Sequence, residues 1–386
     1  MKKILVISKC PTHPTVAGNS SWLLSLVKTF QSYGHVIHFL YVAEPAFHKI
    51  NDFHERNISM MKMFYGDGYF SVYKIPRIEK IKISIFQFIN MNLRKGYTNV
   101  DTLYPKGLKK FVNQLNKQEL FDVCVINYFY LSKLFTNIDI PIKAIATHDC
   151  FAYKEKKVHS SCLSLTASNE AKAMQRCPHI FALQKEEASY FKIISPLSSV
   201  YCIYNKVEHR PTSLSKTRNI LFLSGDNTYN YNGITWFLRE VFPKLKRTIT
   251  DVKLILGGNI CNKLDEWKKD DSIVMHGFVN QLDAFYNLGD VIINPVYQGT
   301  GLKIKTIESI SYEKITIVRR HSIEGIYDVG TCPLFVSDNP KEWVDYISFV
   351  FNHEEEIVKN KRLCNNYITA MNSFVDSELH RFFSTK

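Results

Sequence analysis

The apolar residues of this chain form short runs separated by segments with helical periodicity. The first run is residues 3–8 (KILVIS), and a second covers residues 36–42. Between them, apolar residues from Trp22 to Phe30 recur at helical spacing, and Gly34 ends that segment. Short apolar runs bounded by turn residues are typical of buried parallel strands. The N-terminal stretch therefore predicts a β-α-β unit.

Later runs extend the same pattern. Strands are predicted at residues 124–127, 144–146 and 180–183, and helices at 170–176 and 185–192. The pattern then restarts, with strands predicted at 219–224, 253–256, 273–276, 291–294 and 315–318 and helices at 234–245 and from 303. Strands that alternate with helices indicate an α/β chain with doubly wound parallel sheets.

The length of 386 residues favours two domains, because single cores stop growing at about 250–300 residues. We expect a Rossmann-like domain at 1–204 and a second Rossmann-like domain at 219–370. Residues 205–218 are polar, contain Pro211 and lack periodicity, which is typical of a linker. Residues 371–386 are expected to form a terminal helix that returns to the first domain.

The formal net charge is +13, from 49 Lys and Arg against 36 Asp and Glu. Basic clusters occur at 74–82, 154–157 and 244–247. An excess of this size fits either a solvated surface or an anionic partner such as a phosphorylated ligand or an acidic membrane. No basic recognition motif with interleaved aromatic residues occurs, so we expect no nucleic-acid partner.

Nine cysteines occur without a CxxC pair, which fits reduced thiols in the cytoplasm better than a disulfide or zinc framework. No apolar run reaches about 18 residues, so no membrane span is predicted. Residues 78–96 mix basic and apolar side chains. Such a mixture is typical of an interfacial helix on an anionic membrane, and equally of an amphipathic segment packed on the core; both interpretations stay open.

The most informative stretch is residues 294–311, NPVYQGTGLKIKTIESIS. Gly299 and Gly301 lie in a tight turn between a predicted strand and a predicted helix, where backbone amides can reach phosphate oxygens. Lys303 and Lys305 follow in the first helical turn, where the helix dipole disfavours cations unless an anion is near. Glu308 is deep enough in the helix to accept hydrogen bonds from a vicinal diol such as ribose. An ordinary glycine-rich turn is the alternative.

The spacing from Gly299 to Glu308, followed by residues 313–318, resembles the donor-binding motif of glycosyltransferase family 4, whose fold is GT-B. Other segments match the same family in order: residues 222–225 with Asn230 and 236–238, residues 276–279 with Leu282 and Tyr286, residues 288–291 with 294–295, and residues 324–326. The resemblance covers residues 219–330. It implies two Rossmann-like domains that face a cleft.

The resemblance also implies roles for single residues on the donor side. Glu308 is expected to bind the donor ribose, Lys303 the diphosphate, and Phe278 to lie beside the base. The loop amides of Gly225, Gly299, Thr300 and Gly301 are expected to approach phosphate or sugar. Many family members carry a first Glu eight residues before the second; here that position is Thr300, preceded two residues earlier by Gln298.

On the acceptor side, His148 and Asp149 follow the apolar strand at 144–146, at the strand end where open α/β sheets bind ligands. The family has a His at this strand end, facing the transferred sugar, and the alternative for His148 is a structural, hydrogen-bonded histidine. Gly18 and Asn19 open the first helix and are expected near the acceptor, although Ala17 replaces one of the family's usual paired glycines.

Together these features predict a glycosyltransferase that moves a sugar from a nucleotide-sugar donor to a glycan or lipid-linked acceptor in bacterial surface polysaccharide synthesis. The resemblance implies a retaining mechanism in which His148, Lys303 and Glu308 take part, with no bound metal or other cofactor. We expect a cytoplasmic protein, peripheral at the inner face of the membrane if the interfacial interpretation holds. Two alternatives remain, namely a nucleotide-sugar epimerase on the same fold and a non-catalytic nucleotide-sugar-binding scaffold.

Overall fold

The structure is a computed structural model. It describes residues 1–15, 18–44, 51–93, 97–154, 156, 163–299 and 304–385. The chain divides into two compact units, one formed by residues 1–206 with 375–386 and the other by residues 207–374. Within the described parts, no helix combines the length and the apolar character that crossing a bilayer requires.

The first unit is built on a seven-stranded parallel sheet with the order β3-β2-β1-β4-β5-β6-β7. Its strands are β1 (Lys3–Ser8), β2 (Val36–Ala43), β3 (Phe70–Lys74), β4 (Val123–Asn127), β5 (Ile142–Ala146), β6 (His179–Ala182) and β7 (Ser199–Cys202). The central strands are buried on both faces, because helices cover the sheet, and their sequences are accordingly apolar throughout.

The helices of the first unit follow the strands. They are α1 (Gly18–Ser32), α2 (Asn51–Tyr65), α3 (Arg77–Leu93), α4 (Leu108–Glu119), α5 (Ala167–Met174) and α6 (Lys185–Ile194). Short 3-10 helices span Asp67–Tyr69, Val100–Leu103 and Phe129–Thr136. Strands β2 and β3 lie on one side of β1, and strands β4 to β7 lie on its other side. The order of the strands therefore reverses between β1 and β4, which makes this position the topological switch point of the sheet.

The second unit contains a six-stranded parallel sheet with the order β10-β9-β8-β11-β12-β13. Its strands are β8 (Asn219–Leu223), β9 (Lys253–Gly257), β10 (Ile273–Gly277), β11 (Val291–Asn294), β12 (Ile315–Val318) and β13 (Leu334–Val336). The helices are α7 (Thr228–Glu240), α8 (Phe242–Thr248), α9 (Leu282–Tyr286), α10 (Ile304–Ser311), α11 (Pro340–Asn352) and α12 (Glu354–Phe383), with 3-10 helices at Asn259–Lys263, Asp265–Trp267 and Arg320–Ile323. The switch point here lies between β8 and β11.

The two doubly wound α/β sheets confirm the predicted fold class. The edge strands β3, β7 and β13 were not predicted. The single helix expected at 234–245 is two helices, α7 and α8. Pro243 near the start of α8 explains the break, since proline cannot donate the backbone hydrogen bond that a continuous helix needs at this point.

The polar stretch predicted as a linker is bound tightly to the second unit from Val207 onward. Arg210 donates its backbone N–H to Ser311 O at 2.8 Å, and Ser215 donates to the Asp290 carboxylate through N and Oγ at 2.9 and 2.6 Å. Its polar composition thus reflects hydrogen bonds to the unit. The end of α12 groups with the first unit, where the buried Phe382 packs on Phe181 at 4.9 Å between ring centroids.

Candidate functional site

The carboxyl ends of β8 and β11 form an open edge in the second unit. Gly225 follows β8, and a side chain added at its Cα would meet no atom of the described residues within 4 Å. Gly258, which follows β9, has a φ of +92°, and a Cβ there would lie 2.2 Å from Ser224 O. Only glycine allows these two strand ends to approach so closely. The backbone segments at Ser224 and Gly258 are therefore packed closely, and the space beside the Gly225 Cα is open among the described residues.

Lys305 lies at this edge, in the first turn of α10. Its Nζ donates to Ser224 Oγ at 2.6 Å, and its side chain lines a small cleft together with Tyr286 and Asn294. The residue as a whole is exposed, but its ammonium end is surrounded by protein. Desolvation lowers the pKa of Lys305 to about 8, while the Glu308 carboxylate acts in the opposite direction. An anion bound beside the desolvated Lys305 ammonium would favour its charged form, so a strongly lowered pKa at this position is typical of a functional site.

Glu308 lies one turn further along α10, and Tyr286 holds its carboxylate through a hydrogen bond. Tyr286 at the end of α9 donates its hydroxyl to Glu308 Oε1 at 2.8 Å. Burial raises the pKa of Glu308, and the Tyr286 hydrogen bond and the nearby Lys305 charge partly offset that effect. Glu308 is partly exposed as a residue, and its Oε1 is fixed by Tyr286.

A second layer of contacts positions Tyr286. Its ring stacks on Tyr312 with centroids 4.0 Å apart and planes 9° apart. The Tyr312 hydroxyl donates to Asp283 Oδ1 at 2.6 Å and accepts from Arg210 Nη1 at 2.8 Å. The segment that contains Arg210 thus supports the position of Glu308 through two stacked tyrosines.

Phe278 and Gly299 lie on loops at the same edge of the sheet. Phe278 follows β10 directly and is 72% exposed, which is unusual for a large apolar side chain. Gly299 has a φ of +123° and lies beside the Tyr229 ring, 3.7 Å from the place that a Cβ would take. The predicted site residues Thr300, Gly301 and Lys303 lie outside the described residues.

The first unit has a corresponding polar cluster at its own switch point. His148 Nε2 lies 2.6 Å from Asn127 Oδ1, and Asn127 Nδ2 donates to Ser8 Oγ at 2.9 Å. Because the Asn127 amide nitrogen is engaged with Ser8, its oxygen accepts and His148 Nε2 carries the proton. The neutral ring then presents Nδ1 as an acceptor. Burial lowers the pKa of His148 to about 3, so the ring is neutral at physiological pH.

Aromatic rings and the start of α1 complete this cluster. The His148 ring contacts Trp22 edge-on at 4.8 Å and Tyr128 at 4.5 Å. Asn19, next to Gly18 at the start of α1, donates through Nδ2 to the Tyr128 hydroxyl at 3.2 Å. Two of the predicted acceptor residues, Asn19 and His148, are therefore close neighbours through Tyr128, and Gly18 precedes Asn19 in the chain.

Asp149 faces a different set of charges. It pairs with Lys154 at 2.7 Å between Oδ2 and Nζ. Burial, with a further contribution from Asp149, raises the pKa of Glu187 to about 8, so Glu187 is largely protonated at neutral pH. Its Oε1 accepts from Gln184 Nε2 at 3.1 Å, and Oε2 has no partner among the described residues. Among the described residues, Asp149 pairs with Lys154, and its charge also acts on Glu187 and on Tyr128, whose ring contacts His148.

Several members of these clusters were not singled out from the sequence. Ser8 and Asn127 end the apolar strands β1 and β4, and a polar residue at the end of a buried strand is a signal that could have identified them. Arg210 and Asp283 gave no local signal, because their partners are far away along the chain. Over the described residues, no group of three or more His, Cys, Asp or Glu side chains is arranged to hold a metal ion.

Comparisons with known proteins agree with this arrangement of two sheets. Residues 217–353 match the family described as "Glycosyl transferases group 1". An uncharacterized 44.6 kDa protein in the cps region of Klebsiella pneumoniae is 20% identical over 400 residues, which cover 98% of this chain and 97% of that protein.

Two solved structures share the fold over the whole chain. HepE of Anabaena, in complex with UDP, has a TM-score of 0.65 and 12% identity, covering 99% of this chain and all of that one. A variant of S. aureus TarM, in complex with fondaparinux, α-GlcNAc-glycerol and UDP, has a TM-score of 0.66 and 10% identity and covers both chains fully.

The fold and these matches define the chain as a GT-B glycosyltransferase, which confirms the predicted fold and enzyme class. Within it, residues 217–353 of the second unit are a domain of the glycosyl transferases group 1 family. The resemblance to glycosyltransferase family 4 seen in the sequence is consistent with this assignment.

Proposed function

We propose that this glycosyltransferase moves a sugar from a nucleoside diphosphate sugar to a glycan or lipid-linked acceptor in the synthesis of a bacterial surface polysaccharide such as capsule. The observation that carries the proposal is the Glu308 carboxylate, held by Tyr286 at 2.8 Å beside Lys305 at the switch point of the second sheet. The Klebsiella relative in a cps region supports the polysaccharide pathway. The UDP complexes of HepE and TarM support a nucleotide donor.

On the donor side, Glu308 accepts hydrogen bonds from the two ribose hydroxyls. Tyr286 donates to Oε1 and leaves Oε2 for the ribose. Phe278, which is 72% exposed, stacks on the base. Gly225, Gly299, Thr300 and Gly301 bring backbone amides to the diphosphate or the sugar.

The reaction breaks the bond between the anomeric carbon of the sugar and the β-phosphate oxygen. Negative charge develops on that phosphate, and Lys303, Lys305 and the loop amides stabilise it, which is the main catalytic contribution expected from the protein. The acceptor hydroxyl forms the new bond on the leaving-group face, and its proton passes to the departing phosphate. This course retains the anomeric configuration and uses no metal, as the family resemblance implies.

The first unit binds the acceptor. The neutral His148, whose proton on Nε2 is fixed by Asn127, offers Nδ1 to a hydroxyl of the transferred sugar. Gly18 and Asn19 lie beside Tyr128 and take part in acceptor binding, and Asp149 contributes at the same edge. The protein works in the cytoplasm at the inner face of the membrane, where a lipid-linked acceptor is presented.

A panel of nucleotide-sugars tests the proposal by thermal shift and by donor hydrolysis, with and without EDTA. We expect one donor to shift the melting temperature, EDTA to leave the shift and the hydrolysis unchanged, and Glu308→Ala to abolish both. NMR of the product then determines the anomeric configuration of the transferred sugar, which we expect to be the same as in the donor.

Other outcomes separate the alternatives. Donor binding without turnover in the wild type, with His148→Ala and Lys305→Met indistinguishable from it, would indicate a non-catalytic scaffold. Conversion of the donor to an epimer without an acceptor would indicate an epimerase. No shift with any nucleotide would contradict the proposed function as a whole.

A further inference from the structure

Helix α3 (Arg77–Leu93) exposes its apolar face. Seven of its large apolar side chains are between 44% and 79% exposed, namely Ile78, Ile81, Ile85, Phe86, Phe88, Ile89 and Leu93. At about 100° per residue, these positions fall within an arc of roughly 160° on one side of the helix. A helix of a water-facing surface normally shows the reverse arrangement, with its apolar stripe on the core.

Among its described side chains, the opposite side of α3 is attached to the first unit through polar contacts and the apolar residue Ile83. Ile83 is 9% exposed. Glu79 accepts from the backbone N–H of Gly107 at 3.3 Å and from the Tyr73 hydroxyl at 3.3 Å. Lys80 pairs with Glu44 at 2.5 Å. These contacts fix which face of the helix turns outward.

The exposed face carries charge of one sign only. Glu79 is the single acidic residue in α3, and its carboxylate is hydrogen-bonded to Tyr73 and Gly107 of the first unit. Arg77 and Lys82 on the helix and Lys74 just before it are exposed. By the same helical geometry Lys82 lies within the apolar arc and Arg77 lies at its edge. A face that combines apolar and basic side chains and has no carboxylate complements a surface that is apolar beneath an anionic layer.

The attachment of α3 also relates this face to the proposed acceptor edge. Glu44, the partner of Lys80, directly follows β2, and it also binds Lys9, which directly follows β1. Ser8 and Cys10 at the end of β1 belong to the cluster around Asn127 and Asn19. The N-terminal turn of α3 is therefore tied to the carboxyl edge of the sheet, where the acceptor is proposed to bind.

We propose that α3 is an interfacial helix that docks the first unit onto an anionic lipid bilayer, with its exposed apolar face inserted among the lipids. The helix, 17 residues and about 25 Å long, lies in the plane of the membrane. The inference that docking brings a lipid-linked acceptor to the sheet edge rests on the proposed function; the docking itself does not. Lys82 and Arg77 extend their side chains to the headgroup phosphates.

The test is co-flotation of the full chain with vesicles of phosphatidylcholine alone and with added phosphatidylglycerol, at low and high salt. We expect binding to the anionic vesicles that weakens as salt increases. The double variant Ile85→Gln with Phe88→Gln should lose about 10- to 100-fold in vesicle affinity, and Lys82→Glu should lose the preference for phosphatidylglycerol. The matched control is Ile193→Gln with Leu197→Gln, which removes two side chains that are 78% and 99% exposed elsewhere on the same unit.

Three results would overturn the proposal. They are no flotation with anionic vesicles at low salt, an equal loss in the control variant, and a dimer in sedimentation experiments that the Ile85→Gln, Phe88→Gln variant converts to a monomer. The last result would identify α3 as a contact between two copies of the chain. Donor hydrolysis measured in parallel keeps the proposals separate, because α3 lies outside the donor site. Failed flotation with intact hydrolysis contradicts docking alone, and intact flotation without donor binding contradicts the glycosyltransferase proposal alone.

Discussion

Tyr286 donates its hydroxyl hydrogen to Glu308 Oε1 at 2.8 Å and stacks its ring on Tyr312. This relationship ties the candidate ribose ligand to a residue 22 positions earlier in the chain. Because the Glu308 side chain is partly buried and its pKa is raised, its carboxylate depends on this donor for both its orientation and its charge.

Replacing Tyr286 with phenylalanine should therefore weaken donor binding while the stacked ring keeps its place. Loss of a hydrogen bond to a charged acceptor costs about 1.5–3 kcal/mol, so we expect the donor Kd to rise about 10- to 100-fold. The pKa of Glu308 should rise further, and the acid limb of the kcat/KM profile should move to higher pH. Tyr312→Phe is the control, since Tyr312 bonds Asp283 and Arg210; equal losses in both variants would contradict a specific role for Tyr286.

The alkaline side of the pH profile should depend on Lys305. Its pKa is lowered to about 8, so the ammonium group is present below that pH and is lost as pH rises through it. If Lys305 stabilises the departing phosphate, activity should fall above pH 8 in the wild type. Lys305→Arg keeps the charge at all accessible pH values and should move the fall to higher pH, whereas Lys305→Met should be slow throughout. An unchanged alkaline limb in Lys305→Arg would assign that limb to another group.

Much of the fold could be predicted from the sequence, because buried parallel strands leave continuous apolar runs such as those of β1 and β4. Glu308 could be proposed as a site residue from the sequence for a similar reason, since the residues of its loop and helix are contiguous. The hydrogen bonds that position Tyr286 beside Glu308 were not predicted. Their members Arg210, Asp283 and Tyr312 come together only when the segment after residue 206 lies along the second unit. Likewise His148 and its partner Asn127 belong to different strand ends. Contacts between residues that are far apart in the chain produce no periodic pattern in the sequence, so they cannot be predicted from it in this way.

The protonation of His148 can be tested directly by NMR. Its pKa of about 3 predicts that the ring stays neutral, with the proton on Nε2, between about pH 5 and 8. Asn127→Asp places a carboxylate next to Nε2, which favours the imidazolium form, so a titration should appear in this range. Long-range proton–nitrogen spectra measure the tautomer and the charge, and the His148→Asn variant assigns the resonance. A wild-type ring that titrates near pH 6.5 would contradict the buried, neutral state.

Glu187 offers a test of stability. Burial raises its pKa to about 8, whereas in the unfolded chain it ionises near 4.5. Between these values the unfolded state has lost a proton that the folded state still holds, so the free energy of unfolding falls as pH rises. Glu187→Gln removes this dependence and should stabilise the first unit by on the order of 2 kcal/mol at pH 8, with little effect at pH 5.

The matched control for this prediction is the neighbouring exposed Glu186, which also lies in the first turn of α6. Glu186→Gln removes the same charge from the helix N-terminus, so subtracting its effect leaves the contribution of burial alone. Denaturant unfolding of the full chain at both pH values, followed in the transition of the first unit, gives the comparison. If both variants change stability equally, or if Glu187→Gln gains as much at pH 5 as at pH 8, Glu187 ionises at the same pH in the folded and unfolded chain, and its raised pKa is contradicted.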